Sequence, residues 1–280
     1  MSQAFVVDGS RSFDLDEVDP SGGESRSDEQ AERRLEKLVP ELLDLQALVQ
    51  AAEKHAVLII LQGMDAAGKD LTIQQALGTA NPEAIRVKHF SEMTEDEALH
   101  DFLWRAHNVT PARGEWVVFD RSYYEQVVEP IVDGETNEQE TAERCRDIRD
   151  FERILHNAGT IVIKLFLHVS RDEQERRLVE RMEQDETAWK ISASDWEDHR
   201  RWDDFMKAWA ATISATATPD APWLIVPADR DAIRNLAAAE AVVERLRSYR
   251  EEWAAERTRI GSEKRQEALK EAPEHVRAGV

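Results

Sequence analysis

The sequence predicts an α/β protein whose mostly parallel five-stranded sheet is covered by helices on both faces. Three observations predict it. Short, almost wholly apolar runs recur along the chain and alternate with stretches of helical periodicity. The first run leads into a glycine-bounded loop, residues 63–69, that opens a helix. The third run ends in an aspartate, Asp120, as expected where a strand delivers a carboxylate to the ligand-binding end of such a sheet.

Residues 1–27 are rich in Ser, Gly, Asp and Glu, which predicts a flexible arm with a short docking piece near residues 5–7. From residue 28 to about 55, Leu35, Leu38, Leu42, Leu45, Leu48 and Val49 recur at helical spacing, with Pro40 as a kink or break. Residues 57–62 are the first strand, and a helix begins near Lys69. The second strand is residues 85–90. Thr94 to Glu97 form a capping box that predicts a helix carrying Leu99, Phe102 and Leu103 on one face. Residues 116–120 and 160–169 are the third and fourth strands. Helices are expected over 171–183 and 192–214, a fifth strand over 223–227, and a last amphipathic helix over 231–253. This gives a domain over residues 28–256 and a charged, frayed tail over 257–280, with no internal repeat.

The net charge of −21 over 280 residues disfavours nucleic acid and anionic membranes as partners. Screening acts over roughly 8 Å at physiological salt, so a local basic cleft can still receive a polyanion. The single cysteine, Cys145, forms no internal disulfide, the N-terminus lacks a signal-peptide pattern, and the apolar runs are strand-sized. A cytoplasmic protein is expected.

The strongest chemical signal is Gly63-x4-Gly68-Lys69 between a strand and a helix. Glycines let backbone N–H groups curl around phosphate oxygens, the helix N-terminus adds positive potential, and Lys69 adds a mobile charge. Gly63, Ala66, Ala67 and Gly68 are therefore phosphate-binding candidates. A Ser or Thr that binds Mg²⁺ usually follows the lysine, whereas this chain has Asp70. Asp70 suits either a helix cap or a metal contact, and Asp65 adds a second acid inside the loop. Acids beside a polyanion imply a divalent metal, Mg²⁺ or Mn²⁺. Asp120 has the Walker-B arrangement, and Arg121 beside it can grip phosphate bidentately. Arg171, Arg176, Arg177 and Arg181, then Lys190, form a basic stretch over about 171–191 that reads either as a solvated face or as a lid over the transferred phosphate. The histidines show no metal-ligand spacing.

These residues resemble a family. The loop Gly63-Met64-Asp65-Ala66-Ala67-Gly68-Lys69-Asp70, then Asp101-Phe102-Leu103-Trp104-Arg105, Phe119-Asp120-Arg121-Ser122-Tyr123-Tyr124-Glu125, Phe166-Leu167-His168-Val169-Ser170 and Val226-Pro227-Ala228-Asp229-Arg230 are similar, in order, to polyphosphate kinase family 2 over roughly residues 30–248. The resemblance implies a thymidylate-kinase-like P-loop fold, a three-layer sandwich with a helical lid. It also implies Mg²⁺-dependent transfer of a terminal phosphoryl group between inorganic polyphosphate and a nucleoside mono- or diphosphate (ADP/AMP or GDP/GMP). Asp65 and Asp120 would be the metal-binding and acceptor-orienting acids. Lys69 would hold phosphates, and Arg121, Arg177 and Arg181 would neutralise the donor. Dimers or tetramers are implied as well. An ATP-dependent nucleoside monophosphate kinase and a catalytically reduced sensor are the alternatives at this point.

Several positions depart from the family pattern. Phe90-Ser91-Glu92-Met93 replaces a Phe-Lys-x-Pro stretch, Asp185 and Thr187 replace a Pro and a Lys, and Leu71 replaces a Gly. Asp231-Ala232 and Asn235 stand where a Lys-Trp and an Arg are usual. All but Leu71 remove positive charge or rigidity along the presumed donor path, which bears on the donor and its preferred length.

Overall fold

The expected alternation forms, with one strand added at its front. A computed structural model describes residues 3–24, 26–77 and 85–273. The strands are β1 (Phe5–Val7), β2 (Ala56–Gln62), β3 (Ile85–His89), β4 (Trp116–Asp120), β5 (Thr160–His168) and β6 (Trp223–Pro227). The helices are α1 (Asp28–Ala52), α2 (Lys69–Thr72, continued by a π-helical turn over Ile73–Leu77), α3 (Trp104–His107), α4 (Glu125–Val132), α5 (Glu138–Asn157), α6 (Arg171–Glu183), α7 (Ala193–Arg200), α8 (Trp202–Thr216), α9 (Asp231–Arg247) and α10 (Arg250–Glu271). None of these helices is long and apolar enough to cross a membrane.

The sheet order is β1-β6-β5-β2-β4-β3, with β1 antiparallel and every other pairing parallel. β2, β4 and β5 are buried along their whole length, which explains their largely apolar sequences, with Lys164 the charged exception inside β5. Helices α1, α2 and α9 pack together on one side, with α10 against α1, while α4, α5 and α8 pack together on the other. After β2 the chain builds β3 and β4 to one side, then β5 and β6 to the other. The crevice at the carboxyl end of β2 is therefore the place where ligands bind in such sheets.

The five-stranded expectation is corrected to six, because the docking piece at residues 5–7 pairs with β6. Around it the arm is seated rather than loose. Phe13, Leu15 and Val18 are buried, Phe5 stacks on Phe13, and Asp229 N donates to Pro20 O (3.0 Å). Three apolar side chains in a polar stretch suffice to anchor a segment that has a sheet edge to pair with. At the other end the helix runs to Glu271, well past the expected fraying point near residue 257, and residues 274–280 of the tail lie outside the described residues.

Three further local readings differ. α1 runs through Pro40 unbroken: burial of Leu38, Leu42, Leu45, Leu48 and Val49 outweighs the ~3 kcal/mol cost of an interior proline. The Thr94 capping box forms, with Glu97 N donating to Thr94 Oγ1 (3.2 Å), yet only a 3₁₀ turn follows. Leu103 N donates instead to Asp101 Oδ1 (3.0 Å), an Asx turn that competes with the helix, and Leu99 is left exposed. Finally, α4 and α5 fill the stretch between β4 and β5. Their sequence is highly charged, but Cys145, Ile148, Phe151 and Leu155 carry the core-facing stripe of α5, and an Asn137–Glu140 capping box starts it.

Candidate active site

The loop between β2 and α2 is built on two glycines that nothing else could replace. Gly63 has φ +146°, and a Cβ there would lie 2.7 Å from Leu167 O. Gly68 has φ +98°, and a Cβ there would lie 2.2 Å from Arg234 Nη1. Lys69 curls back over the loop, where its Nζ donates to Gly63 O (2.7 Å) and Met64 O (3.1 Å) and lies 4.0 Å from Asp65 Oδ1. Arg121 Nη2 donates to Asp65 Oδ1 at 2.5 Å. Arg121 adopts φ +61°, a left-handed backbone uncommon for a residue with a side chain, and its N–H is held by Leu61 O (3.1 Å). Strain of this kind at the end of β4 aims the guanidinium across the crevice.

Asp65, Lys69 and Arg121 are thus brought into direct contact. Burial pushes the Asp65 carboxyl up, but the Lys69 and Arg121 cations outweigh it and hold the group below the usual aspartate range. Asp120 lies beside them at the carboxyl end of β4, in register with Leu61 and with His89 of β3. Its Oδ2 pairs with His89 Nδ1 (2.8 Å), while its buried Oδ1 has no hydrogen-bond donor among the described residues. An ionised Asp65 and an orphan Asp120 oxygen suit a divalent cation that takes its remaining ligands from phosphates and water, as Mg²⁺ characteristically does. Among the described residues no cluster of three or more His, Cys, Asp or Glu side chains forms a self-sufficient metal cage.

Two cavities meet at this point. The first, about 420 Å³, is lined among the described residues by seven Lys and Arg side chains against four carboxylates. The second, about 490 Å³, has five cations against eight carboxylates, Glu125, Glu129, Asp195 and Asp198 among them. Asp65, Arg121, Arg181 and Lys190 line both. The first chamber can receive a polyanion, whereas the second suits a ligand with one anionic end.

Several predicted site residues have other partners than expected. Asp70 neither caps α2 nor joins Asp120: it accepts from Lys190 Nζ (2.8 Å), and that hydrogen bond lowers its pKa. The resemblance implies that Arg177 neutralises the donor. Its guanidinium instead donates to the carbonyls of Ala66 (3.1 Å), Ala67 (3.3 Å), Ala228 (2.8 Å) and Asp229 (2.9 Å), and bridges Glu173 and Asp231. It clamps the glycine loop to the end of β6. Arg181 lies 3.9 Å from Asp195 on the junction of the chambers. Arg176 follows the solvated reading, paired with Glu173 and Glu180.

The structure adds residues that the sequence did not single out. Arg234 is buried beneath Gly68 and donates to Thr72 Oγ1 (2.9 Å) and Asp231 Oδ1 (2.5 Å), so a guanidinium is present although the expected arginine position holds Asn235. Asp195 keeps its proton more readily than usual, through burial and the neighbouring Asp65 charge. Gln174 ties α6 to the loop, its Nε2 donating to Asp65 O (2.9 Å). Only the capping pattern Ser192–Asp195 was visible in the sequence as a hint of Asp195.

Glu125 lines the acidic chamber and is pushed up to about 7 by burial, with the Arg121 charge acting against the shift. Gln62, turned so that its amide nitrogen faces Glu125 Oε1 (2.9 Å), accepts from Ser122 Oγ (3.0 Å). A raised carboxyl pKa means that the folded state holds a proton that the unfolded chain releases between about 4.5 and about 7. The stabilisation from this site is present below that window and is lost as pH rises through it. Relative to Glu125→Gln, the wild type is expected to lose up to roughly 3 kcal/mol of unfolding free energy between pH 4.5 and 7.5. Urea titrations at both pH values measure the difference, and parallel pH profiles would contradict the assignment.

Comparison with known proteins finds relatives over most of the chain. The family described as Polyphosphate kinase 2 (PPK2) matches residues 25–253. An AMP/ADP-polyphosphate phosphotransferase of Meiothermus ruber is 44% identical over 214 residues, covering 76% of this chain and 78% of that protein. An ADP-polyphosphate phosphotransferase of Rhodopseudomonas palustris is 40% identical over 224 residues, with coverage of 76% and 78%. The crystal structure of polyphosphate kinase 2 from Arthrobacter aurescens superposes with a TM-score of 0.81 at 33% identity, over 84% of this chain and 86% of that one.

Proposed function

The chain belongs to the polyphosphate kinase 2 family, and from that premise we propose that it transfers the terminal phosphoryl group of inorganic polyphosphate to a nucleoside mono- or diphosphate, and back. The observation that carries this reading is the pair of chambers of opposite charge balance meeting at Asp65 and Arg121. Polyphosphate lies in the basic chamber, its terminal phosphate at the glycine loop. The nucleotide lies in the acidic chamber with its own terminal phosphate turned to the junction, where Arg121, Arg181 and Lys190 receive it. The names of the relatives favour adenine nucleotides as acceptors.

In the reaction an oxygen of the nucleotide's terminal phosphate forms a bond to the terminal phosphorus of the chain. The P–O bond to the penultimate phosphate breaks, and a chain one unit shorter leaves with the electron pair. Such transfer needs little covalent help from protein; alignment and charge neutralisation supply most of it. Lys69 and the loop N–H groups hold donor oxygens. Arg121 spans donor and acceptor, and Arg177 keeps the loop in shape. Asp65 and Asp120 would hold Mg²⁺ or Mn²⁺, which when bound draws together and neutralises the phosphate oxygens.

The test is to incubate the protein and Mg²⁺ with AMP or ADP, with and without polyphosphate. Formation of ADP or ATP only when polyphosphate is present is expected. Transfer from ATP to a nucleoside monophosphate with none from polyphosphate of any length would replace this reading with that of an ATP-dependent kinase.

A further inference from the structure

The basic chamber contains an anion of its own. Asp231, the first residue of α9, places one carboxylate oxygen, Oδ1, between two guanidiniums: Arg177 Nη2 donates to it at 3.1 Å and Arg234 Nη1 at 2.5 Å. Asp231, Arg177 and Arg234 all line the basic chamber, and the Asp231 side chain is 56% exposed there. Neither guanidinium is free to turn away. Arg177 is fixed by Glu173 and four backbone carbonyls, and Arg234 by Thr72 and the Asn235 side chain under Gly68. Two immobile guanidiniums converging on one oxygen form a receptor for an anionic oxygen of either kind, carboxylate or phosphate. Asp231 fills that receptor from within.

We propose that Asp231 is a specificity-determining residue, an internal competitor that keeps the Arg177–Arg234 pair from the donor chain and so weakens the hold on long polyphosphate. The proposal rests on the reading of the basic chamber as the polyphosphate site. A short donor, held by the glycine loop, Lys69 and Arg121, does not need the occupied position. A long chain passing the wall meets a carboxylate where two positive groups would otherwise bind it. The opposite possibility is that the carboxylate only bridges the two guanidiniums and keeps them in place, in which case removing it loosens the wall and weakens binding.

Asp231→Asn keeps the size and removes the charge, and Asp231→Glu keeps the charge. Binding of tripolyphosphate and of a long-chain polyphosphate, each with Mg²⁺ and no acceptor, is measured by titration calorimetry on wild type and both variants. Donor and acceptor KM values are measured alongside. Asp231→Asn is expected to tighten long-chain binding and lower the long-chain KM by about tenfold. Tripolyphosphate binding should shift less, the nucleotide KM should not move, and Asp231→Glu should resemble wild type. Unchanged or weaker long-chain binding by Asp231→Asn overturns the proposal. The calorimetry is independent of turnover. A wild type that binds polyphosphate but transfers none of it overturns the proposed function, while the variant comparison still decides the role of Asp231. Absence of polyphosphate binding by both proteins overturns both.

Discussion

Replacing Asp120 with asparagine is expected to lower kcat by on the order of 10³-fold while the thermal midpoint stays level or rises. The two effects have one cause. Asp120 is buried, its Oδ2 pairs with His89, and its Oδ1 has no hydrogen-bond donor among the described residues, so burying this carboxylate carries a desolvation cost. A neutral amide of the same shape removes that cost. It also removes the charge that would hold a divalent cation against the reacting phosphates. Asp65→Asn should lower turnover as much but behave differently in stability. Its carboxylate faces Lys69 and Arg121, and losing it leaves two partly buried cations without their anion, a cost of about 1–3 kcal/mol. Steady-state kinetics with thermal unfolding of both variants distinguishes them. Turnover within tenfold of wild type for Asp120→Asn would remove that residue from the chemistry.

The largest stability effect is expected away from the site, at Glu152. Its Oε1 accepts from Tyr123 Oη (2.9 Å) and Tyr124 Oη (2.7 Å), and its Oε2 from Lys164 Nζ (2.8 Å), all buried. Lys164 also donates to Thr216 O (2.9 Å), tying β5 to the end of α8. Burial pulls the Lys164 pKa down, opposed by Glu152. Glu152→Ala leaves an ammonium and two phenols in the core without their acceptor, so a loss of about 3–5 kcal/mol is expected. In a domain of this size that lowers the midpoint by roughly 10 °C. A double replacement, Glu152→Leu with Lys164→Met, removes both charges and should recover much of the loss. Equal destabilisation by the single and double variants would contradict a role as an ion pair. Because Tyr123 and Tyr124 lie two and three residues after Arg121, this network also braces the strained turn that aims Arg121 at Asp65.

How much of this was legible in the sequence depends on the kind of interaction. The glycine loop, the positions of strands β2 to β6 along the chain and the aspartate ending β4 were readable because each is local: a φ above zero, an apolar run, a strand terminus. Arg177 was readable as a cation near the site but not as a clamp, since its partners lie in the loop and at the end of β6, 111 and 51 positions away. Arg234 was hidden for a related reason. An arginine in a helix of alanines and leucines looks solvent-facing until the helix is laid against the loop, where its guanidinium fills the space that Gly68 leaves open. His89 reaches Asp120 only through the β3–β4 register. The added strand β1 shows the same limit. Three apolar residues are too few to show a periodicity, and the free edge of β6 turns them into a strand.

In the proposed reaction one phosphoryl group passes directly from polyphosphate to a nucleotide at Asp65 and Asp120. The most direct measurement uses polyphosphate with radiolabelled phosphorus, Mg²⁺ and unlabelled AMP or ADP. The label should appear in the terminal position of ADP or ATP with wild-type protein and fall to background with Asp120→Asn. Label reaching the nucleotide at equal rates with both proteins, or remaining entirely in the polyphosphate with the wild type, would contradict it.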